Sequence, residues 1–397
     1  MRGPGRGHVG RRVVAIANPL PTETSRGAHD AFIAADVGGT HVRIGLVRGS
    51  GDAGTPVHVL EYRKYACAEH AGLGDIVQDF LAHLSLDHGR VTRGVIASAG
   101  YALEDGTVIT NNLPWRLSLA DLRTQLGFDD VRLVNDFEAV AHAAAQVDAS
   151  QVLQLTGPAI APARGPTLIL GPGTGLGAAV WIPVGARAVV LATEAGQAAL
   201  TAGNALEMAL LAEMLKTRTH VPVEHALSGP GLLNLHAALC AVRGAAPSGY
   251  THPGQVTAAA LSGEDALARE SLDVFCGLLG SVVGDMALLY GVQGGVYLAG
   301  GILPRIRDFL INSSLVARFL NKGTMREALE RIPVKLVEHG QLGVVGAATR
   351  FKVTSPDAYR KRLLPTTRLA KTRTHSGTKN GRRRLERKRR RQWRERP

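Results

Sequence analysis

Alternating hydrophobic and polar positions mark two similar stretches of the chain. Residues 32–47 read as a strand, a glycine turn and a second strand whose apolar residues fall at every second position. Residues 168–182 repeat this pattern around Gly173-Thr-Gly175, and the second strand there is predicted to end before Pro183. Two glycine-threonine hairpins in one chain predict an internally duplicated architecture.

The rest of the chain alternates between helical spacing and short buried strands. This alternation, with short links, predicts α/β layers. Ser118 is expected to cap a helix, with Asp121 at its third position. The predicted helices cover residues 73–84, 137–146, 205–216 and 264–290, and the predicted strands cover residues 94–99, 131–134 and 295–299.

The second hairpin also fits a dinucleotide-binding fingerprint, Gly173-x-Gly175-x-x-Ala178, with Glu194 about 20 residues further on. That fingerprint requires a helix directly after the glycines, because the pyrophosphate binds at the helix N-terminus. Residues 178–182 are too few for a helix and read as a strand. A nicotinamide-dependent dehydrogenase is therefore the weakest hypothesis, and it would reveal itself by NADH formation without ATP.

Composition is typical of a large cytoplasmic protein. With 397 residues and 45% hydrophobic content, the chain can bury a substantial core, and its length predicts two domains. Cys67, Cys240 and Cys276 are odd in number and far apart, which indicates neither a disulfide framework nor a zinc site. No apolar run approaches the roughly 18 uncharged residues of a membrane span, so no membrane association is expected.

The positive charge is concentrated at the C-terminus. Residues 360–397 contain 17 Lys or Arg and two acids, so the remaining chain has a net charge near −2 although the whole carries +13. Few apolar residues accompany this charge, and the tail is predicted to be disordered, as are residues 1–30. The tail is either a solvated extension or a nonspecific contact for nucleic acid.

Glycine-rich hairpin tips suit phosphate groups. Glycines let the backbone approach closely, successive N–H groups form a concavity for anions, and Thr40 and Thr174 add hydroxyl donors. A single such turn is usually only a turn, but here there are two, and Gly300-Gly301 forms a third after an apolar strand. Together they favour a nucleotide cleft, and the chain contains no P-loop motif.

Acidic residues follow predicted strands and glycine turns. Asp136 stands at the carboxyl end of a strand, where it either caps the next helix or takes a proton from a substrate hydroxyl. Glu194 and Glu224 flank glycine-rich turns. Singly they read as surface carboxylates, whereas together with asparagines they suit a polyhydroxylated ligand, because a carboxylate accepts hydrogen bonds from neighbouring hydroxyls.

Five motifs lie along the chain between residues 31 and 351. They are Ala35-Asp-Val-Gly-Gly-Thr40, Leu133-Val-Asn-Asp-Phe137, Leu170-Gly-Pro-Gly-Thr-Gly-Leu-Gly177, Leu227-Ser-Gly-Pro-Gly-Leu-Leu-Asn234 and Leu298-Ala-Gly-Gly-Ile302. In order and spacing they resemble those of the bacterial glucokinase family. This resemblance implies the α/β, two-domain actin-like (ribonuclease-H-like) ATPase fold with a cleft between the domains, which closes on sugar and ATP.

The resemblance also implies a role for each motif. Asp136 would be the catalytic base on the 6-hydroxyl of glucose, and Asp36 would lie near Mg²⁺, bound through water. The remaining sugar-binding residues would be Asn111, Asn135, Glu194, Gln197 and Glu224. The ATP-binding residues would be Ala35, Asp36, Val37, Gly38, Gly39, Thr40, Gly173, Thr174, Gly175, Gly300 and Gly301.

The same resemblance implies a domain division and an assembly. A small α/β domain would comprise residues 31–146 plus 338–352, and a large α/β domain residues 147–337. A cytoplasmic homodimer acting in glycolysis is expected.

This chain departs from the family pattern at several positions. Gln197 stands where the family has histidine, His41 replaces an asparagine, and residues 98–100 lack a common proline. The loop over residues 110–115 is one residue longer than usual. Because hydrogen-bonded hydroxyls are discriminated strongly, a kinase for another hexose or an amino sugar is a close alternative. A sugar-sensing regulator on the same fold is a further one.

Overall fold

The structure is a computed structural model that describes most of the chain between Ala31 and Val353. The described residues are 31–49, 57–84, 90–110, 113–144, 147, 151–159, 165–185, 187–246, 248–338 and 340–353. They all belong to one compact unit that ends at Thr354. Asn111, residues 1–30 and the basic tail over residues 360–397 lie outside the described residues.

The first sheet has five strands in the order β3-β2-β1-β4-β8. The first hairpin forms as predicted, with β1 antiparallel to β2 and β2 antiparallel to β3, while β4 and β8 run parallel to β1. The strands are β1 (Ala31–Val37), β2 (His41–Gly49), β3 (Val57–Ala66), β4 (Arg93–Ser98) and β8 (Asp130–Val134).

The second sheet repeats this order and adds one strand. Its order is β12-β11-β10-β13-β14-β9, with an antiparallel meander followed by two parallel strands, which confirms the predicted duplication. The added strand, β9, pairs antiparallel with β14. The strands are β9 (Val152–Thr156), β10 (Thr167–Pro172), β11 (Leu176–Val184), β12 (Arg187–Thr193), β13 (Gly295–Leu298) and β14 (Val334–Val337).

One strand boundary was predicted wrongly. β11 continues through Pro183, which pairs with Ala188 of β12. Trp181 is the last residue of β11 that also pairs with β10, so beyond it the strand has a free edge, where a proline without an N–H group is tolerated.

The four helices that were predicted with bounds form, and their ends differ from the prediction by at most two residues. The helices of the described residues are α1 (Leu73–Ala82), α2 (Leu119–Leu126), α3 (Asp136–Ala144), α4 (Ala205–Leu215), α5 (Gly229–Val242), α6 (Pro253–Ser262), α7 (Ala266–Leu289), α8 (Arg307–Ile311), α9 (Leu315–Leu320), α10 (Arg326–Glu330) and α11 (Leu342–Val353). Three short strands, β5 (Tyr101–Ala102), β6 (Thr107–Ile109) and β7 (Leu117–Ser118), form a third sheet.

Side-chain caps fix two of these helix starts. The Ser118 hydroxyl accepts the backbone N–H of Asp121 at 3.1 Å, as predicted. The Asp265 carboxylate accepts the N–H groups of Leu267 and Ala268, so α7 begins two residues later than expected. Capping satisfies backbone donors that have no partner within the helix.

Among the described residues, one helix, α7, is long and apolar enough to cross a bilayer, judged by length and composition alone. Its most apolar window has a mean hydropathy of 1.8, although 67% of that window is buried inside the protein. Phe275, Leu279 and Val283 are in the core that also contains β10 and β13. The helix is therefore explained by packing in the interior of the protein.

The two sheets meet where α3 and α11 cross. A Cβ atom added to Gly346 of α11 would lie only 1.7 Å from the Ala139 carbonyl oxygen of α3. Glycine thus permits a close helix crossing that a side chain would prevent. The ring of Phe137 extends from α3 onto the second sheet, beside Gly177 of β11.

Candidate active site

The tip of the first hairpin is held by main-chain contacts. The N–H of Gly38 donates to the carbonyl of His41 at 3.1 Å, and the N–H of Cys67 donates to the carbonyl of Thr40 at 3.0 Å. The thiol of Cys67 lies 3.2 Å from the Gly38 carbonyl oxygen. Thr40 is exposed at the tip.

Two predicted ligands on β1, Ala35 and Val37, bury their side chains in the core. They can therefore offer only backbone groups to a ligand. Asp36, between them, points to the opposite face and forms an ion pair with Arg43 of β2 at 3.1 Å. Burial raises the pKa of Asp36, and the charge and hydrogen bond of Arg43 oppose that shift.

The tip of the second hairpin lies against a helix start and the third glycine turn. The N–H of Gly173 donates to the carbonyl of Gly175, and the N–H of Gly229 at the start of α5 donates to the carbonyl of Gly173, both at 2.8 Å. Gly300 has a φ of +95°, and a Cβ there would lie 2.5 Å from the Pro172 carbonyl oxygen. The structure therefore brings together two predicted phosphate-binding segments, Gly173-Thr-Gly175 and Gly300-Gly301.

The cap of α3 is Asn135 and not Asp136, contrary to one of the two sequence interpretations. The Asn135 side-chain oxygen accepts the N–H groups of Phe137 and Glu138, each at 3.0 Å. Asp136 is the first residue of the helix, and its Oδ1 accepts the Phe137 N–H at 2.9 Å. Within the described part of the chain, Oδ2 of Asp136 and Nδ2 of Asn135 have no hydrogen-bond partner.

Asp136 is a stronger base than an ordinary aspartate. Burial, followed by the negative charge of Asp36, raises the pKa of Asp136 to about 6. The hydrogen bond from the Phe137 N–H opposes this shift, and the negative charge of Glu194 contributes further to it. The structure thus brings Asp36, Asp136 and Glu194 within electrostatic range. A carboxylate with this pKa remains ionised at pH 7 and is well suited to accept a proton.

Glu224 and Gln197 form a polar pair beside the second hairpin. Gln197 donates from Nε2 to Oε1 of Glu224 at 2.7 Å, and the Leu176 N–H lies 3.3 Å from Oε2. A Cβ on Gly175 would lie 2.7 Å from that same Oε2, so glycine is needed for the carboxylate to lie there. Glu194 is exposed at the end of β12, three residues before Gln197.

A glucokinase family profile matches residues 33–354 of this chain. The chain belongs to the glucokinase family. A glucokinase-like protein of Xylella fastidiosa is 55% identical over 318 residues, which cover 80% of this chain and 93% of that relative. The enzyme described here is thus a member of a family of sugar kinases, and the resemblance found in the sequence is confirmed.

Solved structures confirm the fold class of this glucokinase-family enzyme. A glucokinase from an Antarctic psychrotroph is 32% identical, covers 81% of this chain and 99% of its own, and superposes with a TM-score of 0.69. A ROK family glucokinase from Streptomyces griseus, in complex with glucose and AMPPNP, is 22% identical, covers 80% of this chain and 98% of its own, and has a TM-score of 0.54. The two-domain actin-like ATPase fold is therefore established.

Two features of this glucokinase-family site were not predicted. No role was assigned to Arg43, although the turn at Gly38-Gly39 sets a hairpin register that pairs it with Asp36. The contact between Phe137 and Gly177 left no local signal, because it joins a helix to a strand 40 positions further along the chain.

Among the described residues, no cluster of three or more His, Cys, Asp or Glu side chains has the geometry of a metal site. The predicted water-mediated role of Asp36 toward Mg²⁺ stays a prediction.

Proposed function

We propose that this enzyme transfers the terminal phosphoryl group of ATP to the 6-hydroxyl of glucose, as a cytoplasmic glucokinase acting in glycolysis. The observation that carries the proposal is the raised pKa of Asp136 at the start of α3, in a partly buried position. Phosphoryl transfer demands mainly positioning, charge neutralisation and a group that receives the hydroxyl proton.

The glycine turns fit a nucleotide with its phosphates. A Cβ added to Gly173 or Gly301 would meet no atom within 4 Å, so the backbone at both positions faces open space that a ligand can enter. Thr174 is exposed beside them. When bound, ATP with Mg²⁺ supplies the phosphoryl group and neutralises part of its charge.

The carboxylates Asp36 and Asp136 are oxygen donors of the kind that Mg²⁺ prefers. Oδ2 of Asp36 is already paired with Arg43, which favours contact with the ion through water over direct coordination.

On the sugar side, the residues divide into a base and a set of positioning groups. Asp136 accepts the proton of the 6-hydroxyl as that oxygen attacks, and the amide of Asn135 donates to a neighbouring hydroxyl. Glu194 and Glu224 accept hydrogen bonds from further hydroxyls, and Gln197 holds the Glu224 carboxylate in place. The proposed role of Asn111 falls outside the described residues.

In this proposal the small domain comprises residues 31–146 plus 338–352, and the large domain residues 147–337. In that division both α3 and α11 belong to the small domain, and closure would move it about the contact between Phe137 of α3 and Gly177 of the large domain. Closure would exclude water from the transferred phosphoryl group. We also propose a homodimer, which sedimentation of the purified protein would test.

One observation favours a second substrate class. Because Gln197 is a neutral amide where the family has histidine, the Glu224 carboxylate has a partner that never carries charge. Another hexose or an amino sugar, whose ammonium group would add a positive partner, is therefore the alternative substrate.

The deciding experiment is a coupled ADP-release assay with glucose, mannose, fructose and glucosamine. We expect the highest kcat/KM for glucose and a fall of about 10²- to 10⁴-fold in the Asp136→Asn variant, because the amide cannot accept the proton. Equal and negligible rates for both proteins on every sugar would instead indicate a sugar-sensing regulator. A preference for glucosamine would select the alternative substrate.

A further inference from the structure

A row of charged side chains crosses the first sheet at the end that carries the hairpin tip. Asp36 of β1 is paired in register with Arg43 of β2, and Arg43 in turn with Lys64 of β3. Residues opposite each other on neighbouring strands project from the same face of a sheet. The three side chains therefore form a continuous row on one face.

Lys64 is the member of this row without a counter-ion. Its side chain is exposed and makes no ion pair with the described residues, whereas Asp36 is already engaged by Arg43. Partial desolvation, followed by the positive charges of Arg43 and Arg305, lowers the pKa of Lys64. Arg43 and Arg305 thus both lie within electrostatic range of Lys64.

Arg305 approaches this row from the other sheet. It belongs to the short helical turn Leu303–Ile306, which follows Gly300-Gly301 at the end of β13. Arg305 is exposed, and it too has no ion-pair partner among the described residues. Its charge acts on His41, beside the first hairpin tip, as well as on Lys64.

The surroundings of His41 also include one acid. Desolvation, followed by the charges of Lys64, Arg43 and Arg305, lowers the pKa of His41, and the charge of Glu69 opposes that shift. The charges of three cations and one acid thus act on His41 beside the first hairpin tip.

Like charges held close together repel, and a bound anion relieves that repulsion. We propose that Lys64 and Arg305 bind the β- and γ-phosphate oxygens of the nucleotide from opposite sides of the cleft, with Lys64 as an additional phosphate-contacting residue supplied by the edge strand β3. The inference rests on the proposed function, since it places a nucleotide between the first hairpin tip and Gly300-Gly301.

The test measures nucleotide binding without sugar, by calorimetry with ATP and with AMP. Lys64→Gln and Arg305→Gln should each weaken ATP binding about tenfold, as expected for the loss of a charge-assisted hydrogen bond. AMP lacks the β- and γ-phosphates, so its affinity should stay unchanged. Both variants should also reduce the salt dependence of ATP binding.

Matched controls are available on the same segments. Arg63→Gln removes a positive charge from the neighbouring position of β3, which projects from the opposite face. Arg307→Gln removes one that lies two residues beyond Arg305 and is paired with Asp308 and Glu338. Both controls should bind ATP and AMP like the original enzyme.

Kinetics give a second readout. Lys64→Gln should raise the KM for ATP while leaving the KM for the sugar unchanged, and Lys64→Arg should restore most of the ATP affinity. Unchanged ATP affinity in both Lys64→Gln and Arg305→Gln would overturn the proposal and leave these residues as solvated surface cations. So would an equal loss of AMP affinity.

Failure of the proposed function would look different. If the original enzyme releases no ADP with any sugar but binds ATP, the kinase assignment fails while the calorimetric comparison of the variants still decides the phosphate contacts. If it turns over sugar and the two variants are unaffected, only the phosphate contacts are wrong.

Discussion

The two glycine hairpins share a backbone but differ at one equivalent pair of positions. In each, this is the last-but-one pair before the turn: Asp36 opposite Arg43 in the first hairpin, and Gly171 opposite Gly177 in the second. The first pair is an ion pair. In the second, Cβ atoms would lie 2.5 Å from the Ala299 carbonyl oxygen and 1.9 Å from the Phe137 ring.

The duplicated fold therefore contains two hairpins with the same backbone arrangement and different roles. The first hairpin carries charged groups of its own at the cleft. The second has glycines at these positions, so that neighbouring elements can approach its backbone closely. One of these elements is the start of α3, which carries Asp136. A repeated topology fixes where the backbone runs, while the side chains at equivalent positions decide the chemistry.

The largest effect should come from filling the space beside the second hairpin. Gly177→Ala would place a methyl group within the Phe137 ring, and overpacking of this kind costs about 3 kcal/mol. Displacement of Phe137 would also move Asp136, so sugar-dependent ADP release should fall together with the unfolding free energy measured in urea.

Gly173→Ala in the same hairpin is the matched control for stability, because a Cβ there meets no atom within 4 Å. A Phe137→Ala change added to Gly177→Ala should recover part of the lost stability. If Gly177→Ala is as stable as Gly173→Ala, the packing role of the second hairpin is wrong.

A stability gain is expected from removing the charge of Asp136. Its folded pKa of about 6 exceeds the ordinary value of 3.8, so ionisation destabilises the folded state as pH rises from about 4 through 6, and nearly the full penalty is present by about pH 7. Asp136→Asn should therefore raise the unfolding free energy by about 3 kcal/mol at pH 8 and leave it nearly unchanged at pH 4. Urea unfolding at both pH values measures this, and an equal gain at both would show that the charge is not responsible.

A smaller loss is expected at the ion pair of the first hairpin. Arg43→Gln removes the partner of a partly buried carboxylate and should cost about 1 kcal/mol at pH 8. The pKa of Asp36 is already raised and would rise further, so the cost should shrink at acidic pH, where that carboxyl is protonated in either protein. Adding Asp36→Asn to Arg43→Gln should recover the stability. Denaturation of the original enzyme and the two variants at pH 8 and at acidic pH measures this, and a double variant no more stable than Arg43→Gln would contradict the ion-pair explanation.

The smallest effect should come from Gln197, which is exposed. Gln197→Ala removes the hydrogen bond to Glu224 and should raise the KM for sugar by about fivefold, with little change in kcat, because one hydrogen bond of roughly 1 kcal/mol is lost. Steady-state kinetics across the sugar panel would measure it. A large fall in kcat instead would assign Gln197 a part in the transition state.

Local patterns predicted the two hairpins and the longer helices, and two errors in these predictions have physical causes. The strand β11 continued through Pro183 because the free edge of the sheet removed the need for its N–H group, which no local signal reveals. The start of α3 was predicted, but Asn135 took the capping role because its side chain reaches two backbone donors. Asn135 and Asp136 are both suited to capping, and the geometry of their side chains decided which of them caps the helix.

The sequence by itself determined the alternation of strands and helices, the two glycine hairpins and the residue types of the site, since periodicity and glycine turns are local properties of the chain. Only the tertiary structure decided which charges meet. The pKa of Asp136 depends on burial and on Asp36 and Glu194, which lie far away along the chain. Desolvation and Coulomb interactions act through space, so they are set only when the two sheets pack together.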